Sequence, residues 1–161
     1  MSDLHLLLEE QLPRLMRYAS ALTRDGEQAG DLVQETVIEA IGKSHLWVRG
    51  ADDLRIGLLT ILHELRSNPF RQPDPAETAN DNLVDRETLL TLSDLDRAMA
   101  LLPEEQRAVI LLVGLEGLSY RETATILGIS QSTMRARLTR GRDSLRRAMG
   151  VADEARQQQA A

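Results

Sequence analysis

The stretch SYRETATILGISQSTMRARLTRGR, residues 119–142, decides how this chain is read. Ser119 and Glu122 make an S-x-x-E capping box that opens a short helix to Leu127, and Gly128 is placed for a left-handed stop. Ser130 caps the next helix. There Met134, Leu138, Gly141 and Leu145 fall on one face, and Arg135, Thr139, Arg142 and Arg146 on another. Two helices joined by a tight turn, with small Ala124 at their crossing and Ile129 plugging the turn, describe a helix-turn-helix. In that motif the second helix enters the major groove of DNA.

Arginine suits such a helix because its planar fork can pair with O6 and N7 of guanine, while other arginines neutralise phosphates and fix the register. Arg135, Arg137, Arg140 and Arg142 are the candidates. The competing reading is a solvated face with Glu122 and Asp143 as ion partners. Capping box, glycine turn and arginine run coincide here, and that coincidence favours the DNA reading.

The chain as a whole is acidic, with a formal net charge of -6, but the charge is unevenly placed. From Ser119 to Met149 there are seven arginines against two acids, whereas Gln72 to Leu118 carries ten acids against three arginines. A basic element therefore sits behind an acidic one. With 42% hydrophobic and only 2% aromatic residues in periodic runs, the expected class is all-α, helix packed on helix. The absence of cysteine excludes disulfides, thiolate catalysis and cysteine-bound metal. His5, His45 and His63 have no ligand-like spacing and no glycine-rich phosphate loop follows a strand, so no metal, cofactor or enzymatic activity is expected. No window approaches the roughly 20 apolar residues that span a bilayer, and Met1-Ser-Asp-Leu-His lacks a basic n-region followed by a continuous apolar stretch, so a cytoplasmic location without membrane insertion is expected.

Asn68 to Asn82, NPFRQPDPAETANDN, holds three of the five prolines and reads as a linker. The expected organisation is two small helical domains, 1–67 and 93–149, joined by a Pro-rich linker over 68–92 and followed by a frayed tail, 150–161. In the first domain a segment from Leu4 to Thr23 is interrupted near Pro13. A second, Glu27 to Ile41, carries Ala29, Leu32, Val33, Thr36, Val37, Ala40 and Ile41 as a core stripe. A third, Asp52 to Arg66, carries Leu54, Leu58, Ile61, Leu62 and Leu65. In the second domain Ser93 caps a helix with Leu95, Met99 and Leu102, and Pro103 lies in the first turn of the next helix, which runs to about Leu115.

Residues 102–149, LPEEQRAVILLVGLEGLSYRETATILGISQSTMRARLTRGRDSLRRAM, resemble region 4 of bacterial sigma factors of the extracytoplasmic-function type. Residues 12–41, LPRLMRYASALTRDGEQAGDLVQETVIEAI, resemble sigma region 2, with DLVQET its sharpest piece. The resemblance implies an adaptor that binds core RNA polymerase, places it on promoter DNA and helps open the duplex, held in check by an anti-sigma factor. It carries polymerase docking over to Asp31, Gln34 and Glu35, which on composition alone would be a solvated helix face. It carries -35 reading to Arg135, Ala136, Thr139 and Arg140, with Arg137 and Arg142 holding the backbone. The family's pocket for a flipped -10 base corresponds to residues 42–52, with His45, Trp47 and Arg49, and Arg66 belongs to the basic cluster that follows. Trp47 reads equally well as a packing residue.

The third segment departs from the family's pattern. Ile56-Gly57-Leu58-Leu59 stand where an aromatic-rich stretch is usual, His63-Glu64 replace an Asn, and only Arg66 and Arg71 remain of the basic cluster. Two further readings thus stay open: a sigma-like decoy that sequesters an anti-sigma factor, and a stand-alone helix-turn-helix regulator.

Overall fold

The computed structural model describes residues 2–44, 51–68 and 94–160, and among these residues all regular structure is helical. Helix α1 (Ser2–Thr23) buries Leu8, Leu15, Tyr18, Ala19 and Leu22. The expected interruption near Pro13 does not occur. Proline leaves the carbonyl four residues back without a donor, but Glu9 and Pro13 are both exposed, so water can satisfy it.

Helix α2 (Gly26–Gly42) begins at an Asp25 cap whose Oδ1 accepts from the amides of Glu27 and Gln28 at 2.9 and 3.1 Å. It buries Ala29, Leu32, Val33, Thr36 and Ala40. The core stripe expected from the sequence is confirmed at those positions and corrected at its end, because Ile41 is 42% exposed. Helix α3 (Ala51–Arg66) closes the bundle with Leu54, Leu58, Leu59, Ile61 and Leu62. Near its end the buried His63 meets Tyr18 of α1, with Nε2 and Oη 2.6 Å apart and the rings edge to face.

The second lobe comprises α4 (Asp94–Ala100), α5 (Glu104–Ile110), a π-helical turn (Leu111–Leu115), α6 (Tyr120–Leu127) and α7 (Gln131–Ala160). Leu95 is 51% exposed. One detail differs from expectation. Pro103 is the N-cap of α5 with extended backbone, one position before the first turn. The frayed tail is also replaced by helix, since α7 continues to Ala160 with no breaker after Gly150. Ser93 and nearly all of the linker lie outside the described residues.

The two lobes pack on each other. Met99, Leu102, Ala108, Leu111, Leu112, Leu118 and Ile126 belong to the same buried cluster as the core of α1, α2 and α3. The seam forms where α3 meets α6 and where α1 meets α5 and the π-helical turn. A smaller cluster of Val109, Ala124, Met134 and Leu138 lies behind it and holds the helix-turn-helix together.

Burial, with a smaller push from Arg66, lowers the pKa of His63 to about 4. The Tyr18 hydroxyl is held well above its usual range by burial first and by Glu116 and Glu104 second, so it keeps its proton. Since the folded state favours neutral His63 relative to its usual 6.5, this group's contribution is complete above pH 6.5 and is lost as pH falls toward 4. Urea denaturation across that window should lose up to about 3 kcal/mol through this residue, and His63→Gln should flatten the slope by that amount. An unchanged slope in the variant would show that His63 does not titrate with folding.

Candidate nucleic-acid interface

The helix-turn-helix forms through local bonds at each end of its two helices. Ser119 Oγ accepts from the Glu122 amide at 3.1 Å, which is the backbone half of the predicted capping box. Gly128 adopts φ 64° and ends α6, with its N–H directed at the carbonyls of Ala124 and Thr125. The Ile129 amide reaches Ala124 O at 3.1 Å, and partly buried Ile129 packs against the small cluster under the turn. Ser130 Oγ then accepts from the Thr133 amide at 3.2 Å and starts α7. The turn is thus set by three residue types at fixed spacing.

Met134 and Leu138 are buried and anchor α7 in the lobe, and Gly141 is buried on the same face. Arg135, Ala136, Thr139, Arg140 and Arg142 are exposed on the rest of the helix, while Arg137 is half-buried. Their surroundings differ. The Arg135 guanidinium lies 5.7 Å from the centre of the Tyr120 ring, a cation–π contact that restrains it at the start of the helix. Arg137 turns back to Glu105 of α5 at 3.7 Å. Arg146 pairs with Asp143 at 3.5 Å. Among the described residues Arg140 and Arg142 have no ion partner, which leaves both guanidinium groups available to a polyanion.

On the other lobe Asp31, Gln34 and Glu35 are exposed on α2. Ile38, at 62% exposure, and Ile41 continue the same face at helical spacing, so the polar positions flank an apolar stripe. The sequence reading placed Ile41 in the core and passed over Ile38. Their apolar character alone could not tell core from outer face.

The -10 candidates fare differently. His45, Trp47 and Arg49 lie outside the described residues. Arg66 is held at the lobe seam, where Nε donates to Glu104 Oε1 at 2.8 Å and a terminal nitrogen to Gln28 Oε1 at 3.2 Å. Arg107 and Glu116, which sequence reasoning missed, are both nearly buried at the same seam. Their signal in the sequence is faint: Arg107 borders the apolar run that begins at Ala108, and Glu116 interrupts it between Leu115 and Gly117.

The sigma-70 region 4 family model matches residues 92–145, and the model for the sigma2 domain of PhyR matches residues 8–63. The chain is 30% identical over 151 residues to the ECF RNA polymerase sigma factor EcfG of Rhodopseudomonas palustris, covering 83% of this chain and 78% of that one. It belongs to the ECF RNA polymerase sigma factors. It is also 34% identical over 145 residues to SigL of Mycobacterium tuberculosis, covering 82% of this chain and 80% of the relative. With SigE of Mycolicibacterium smegmatis it shares 31% identity over 152 residues, 87% of this chain but 59% of that protein. Among solved structures it resembles the sigma factor RpoE in complex with the anti-sigma factor NepR from Bartonella quintana, with a TM-score of 0.73 and 28% identity over 94% of this chain and 99% of the other. The all-α fold of this ECF sigma factor, with a region 2 and a region 4, is thereby established, and these relatives are transcription factors rather than enzymes.

Close packing fixes how α7 sits. A Cβ on Gly141 would lie 2.7 Å from Ile110 Cδ1 and 3.4 Å from Gln106 Cβ on α5. Gly141→Val should therefore lower stability by about 1–3 kcal/mol in chemical denaturation. A variant as stable as the parent would mean that α5 yields freely at this point.

Proposed function

We propose that this ECF sigma factor binds core RNA polymerase through the exposed face of α2 and directs it to promoters, with α7 reading the -35 element. The observation that carries the reading is the division of α7. Met134 and Leu138 fasten one side of the helix while Arg135, Ala136, Thr139, Arg140 and Arg142 project from the other. Asp31, Gln34 and Glu35, with Ile38 beside them, are the docking residues. We assign to the chain a region 2 domain over 1–67, a linker over 68–92 and a region 4 domain over 93–149. The -10 element falls to the first domain through His45, Trp47, Arg49 and Arg66. We place the protein in the cytoplasm, where promoter DNA is; among the described residues no helix is long and apolar enough to cross a membrane.

Control by an anti-sigma factor belongs to the same proposal, since the Bartonella RpoE structure is a complex with NepR. A second reading, the sigma-like decoy, draws on the match of residues 8–63 to the sigma2 domain of PhyR and on the occupied state of Arg66. The two separate cleanly in transcription with purified core polymerase over a promoter library. Initiation above core alone supports the sigma factor; none, together with tight anti-sigma binding, supports the decoy. Arg140→Ala should reduce discrimination among -35 sequences by about 1–3 kcal/mol, while Arg142→Ala should weaken all promoters alike and lower the salt slope by about one. Equal and uniform losses in both would make Arg140 a phosphate contact.

A further inference from the structure

We infer that Tyr120 is a positioning residue for base recognition by Arg135, its ring holding the guanidinium so that this arginine meets the -35 element already oriented. The inference rests on the promoter-reading function proposed above. Arg135 Cζ lies over the Tyr120 ring, 5.7 Å from its centre. That is inside the roughly 6 Å at which the negative face of an aromatic ring attracts a cation. Both residues are exposed, Tyr120 at 36%, so the pair stands on the surface of the helix-turn-helix and not in its core.

Local structure fixes the backbone at both ends of this contact. Tyr120 is the first residue of α6, directly after the Ser119 cap whose Oγ accepts from the Glu122 amide at 3.1 Å. Gly128, with φ 64°, sets the direction in which the chain leaves α6. Arg135 follows Met134, which is fully buried and anchors the first turns of α7. What remains free is the long arginine side chain itself. An arginine loose in solvent loses its rotamer freedom when it docks on a base, whereas one already held against a ring has given up part of that freedom beforehand.

The nature of the partner matters as much as its position. Arg137 turns to Glu105 at 3.7 Å and Arg146 to Asp143 at 3.5 Å. A carboxylate takes up the N–H donors that pairing with O6 and N7 of guanine requires. An aromatic face instead holds the cation through its quadrupole and leaves a pair of N–H donors for a base edge. The attraction strengthens when DNA covers the pair and excludes water from it. Arg140 has no ion partner among the described residues, so its orientation comes from DNA alone. The two arginines therefore differ in a measurable way: discrimination by Arg135 depends on Tyr120, and discrimination by Arg140 does not.

The test uses the full chain with core polymerase on promoters in which each -35 position carries every base in turn. Arg135→Ala and Arg140→Ala identify the position that each arginine reads. Tyr120→Leu should then lower discrimination at the Arg135 position by about two- to fivefold, the range of an exposed cation–π contact, and leave the Arg140 position unchanged. Tyr120→Phe, which keeps the ring, should retain the parent's discrimination. Fluorinated phenylalanines at position 120, alike in shape but with a progressively weaker ring quadrupole, should lose it stepwise. Tyr120→Leu combined with Arg135→Ala should discriminate no worse than Arg135→Ala alone. Equal losses at both positions in Tyr120→Leu would make Tyr120 a structural residue of the motif and overturn the inference. So would a uniform loss on all sequences in Tyr120→Phe, which would assign the hydroxyl to a phosphate. An Arg135 that discriminates but is indifferent to Tyr120→Leu overturns the inference alone. If Arg135→Ala changes no position, or the parent initiates from no promoter, the reading proposed above fails and this inference falls with it.

Discussion

A guanidinium group can be buried only where acceptors meet its donors, and Arg107, at 6% exposure, finds them on helix ends. Its Nε donates to Leu22 O in the last turn of α1, and a terminal nitrogen faces Met99 O and Leu102 O at the end of α4 at 3.3 and 3.5 Å. The last carbonyls of any helix lack intrahelical donors, so the cation satisfies an unavoidable deficit. One side chain thereby links the first lobe to both helices that precede the π-helical turn. The placement of α5 follows from it, and α7 rests on α5 through Ile110, Gln106 and Gly141. The exposed arginines of α7 are oriented by a chain of contacts that begins at the lobe seam.

That dependence explains why the two buried clusters have different jobs. The larger one crosses between lobes and includes Leu111, Leu112, Leu118 and Ile126. The smaller one, around Val109, Ala124, Met134 and Leu138, stays within the second lobe.

What the sequence made legible was local. The Ser119 and Ser130 caps, the Gly128 stop and the inward Met134 and Leu138 depend on residues within a few positions of one another, and periodicity and capping rules capture such relations. The exposed arginines were legible for the same reason. The seam was not, because Glu116 meets Arg14 and Arg55 from distant parts of the chain, and a single acid between Leu115 and Gly117 looks like turn surface. Ile41 misled in the opposite sense, since an apolar residue at the edge of a stripe can face a core or a partner. Pro13 misled because its cost depends on whether the freed carbonyl meets water, and that is a matter of tertiary burial.

An acidic chain can still present a basic edge to DNA if its acids are engaged or turned elsewhere. Glu116 and Glu104 are held at the seam by arginines of the first lobe or near it, and Asp31 and Glu35 lie on α2. Between Gln131 and Gly150 of α7 the acid is Asp143, and it takes Arg146, one turn beyond Arg142. Glu105 draws Arg137 toward α5, which leaves Arg140 and Arg142 as the cations with least internal competition. Local charge at such an edge governs phosphate attraction over a Debye length of about 10 Å, so the net charge of the whole protein has little bearing there. The negative balance instead disfavours loose association of the rest of the molecule with DNA. Selectivity for the intended face thus follows from where the acids are bound as much as from where the arginines project.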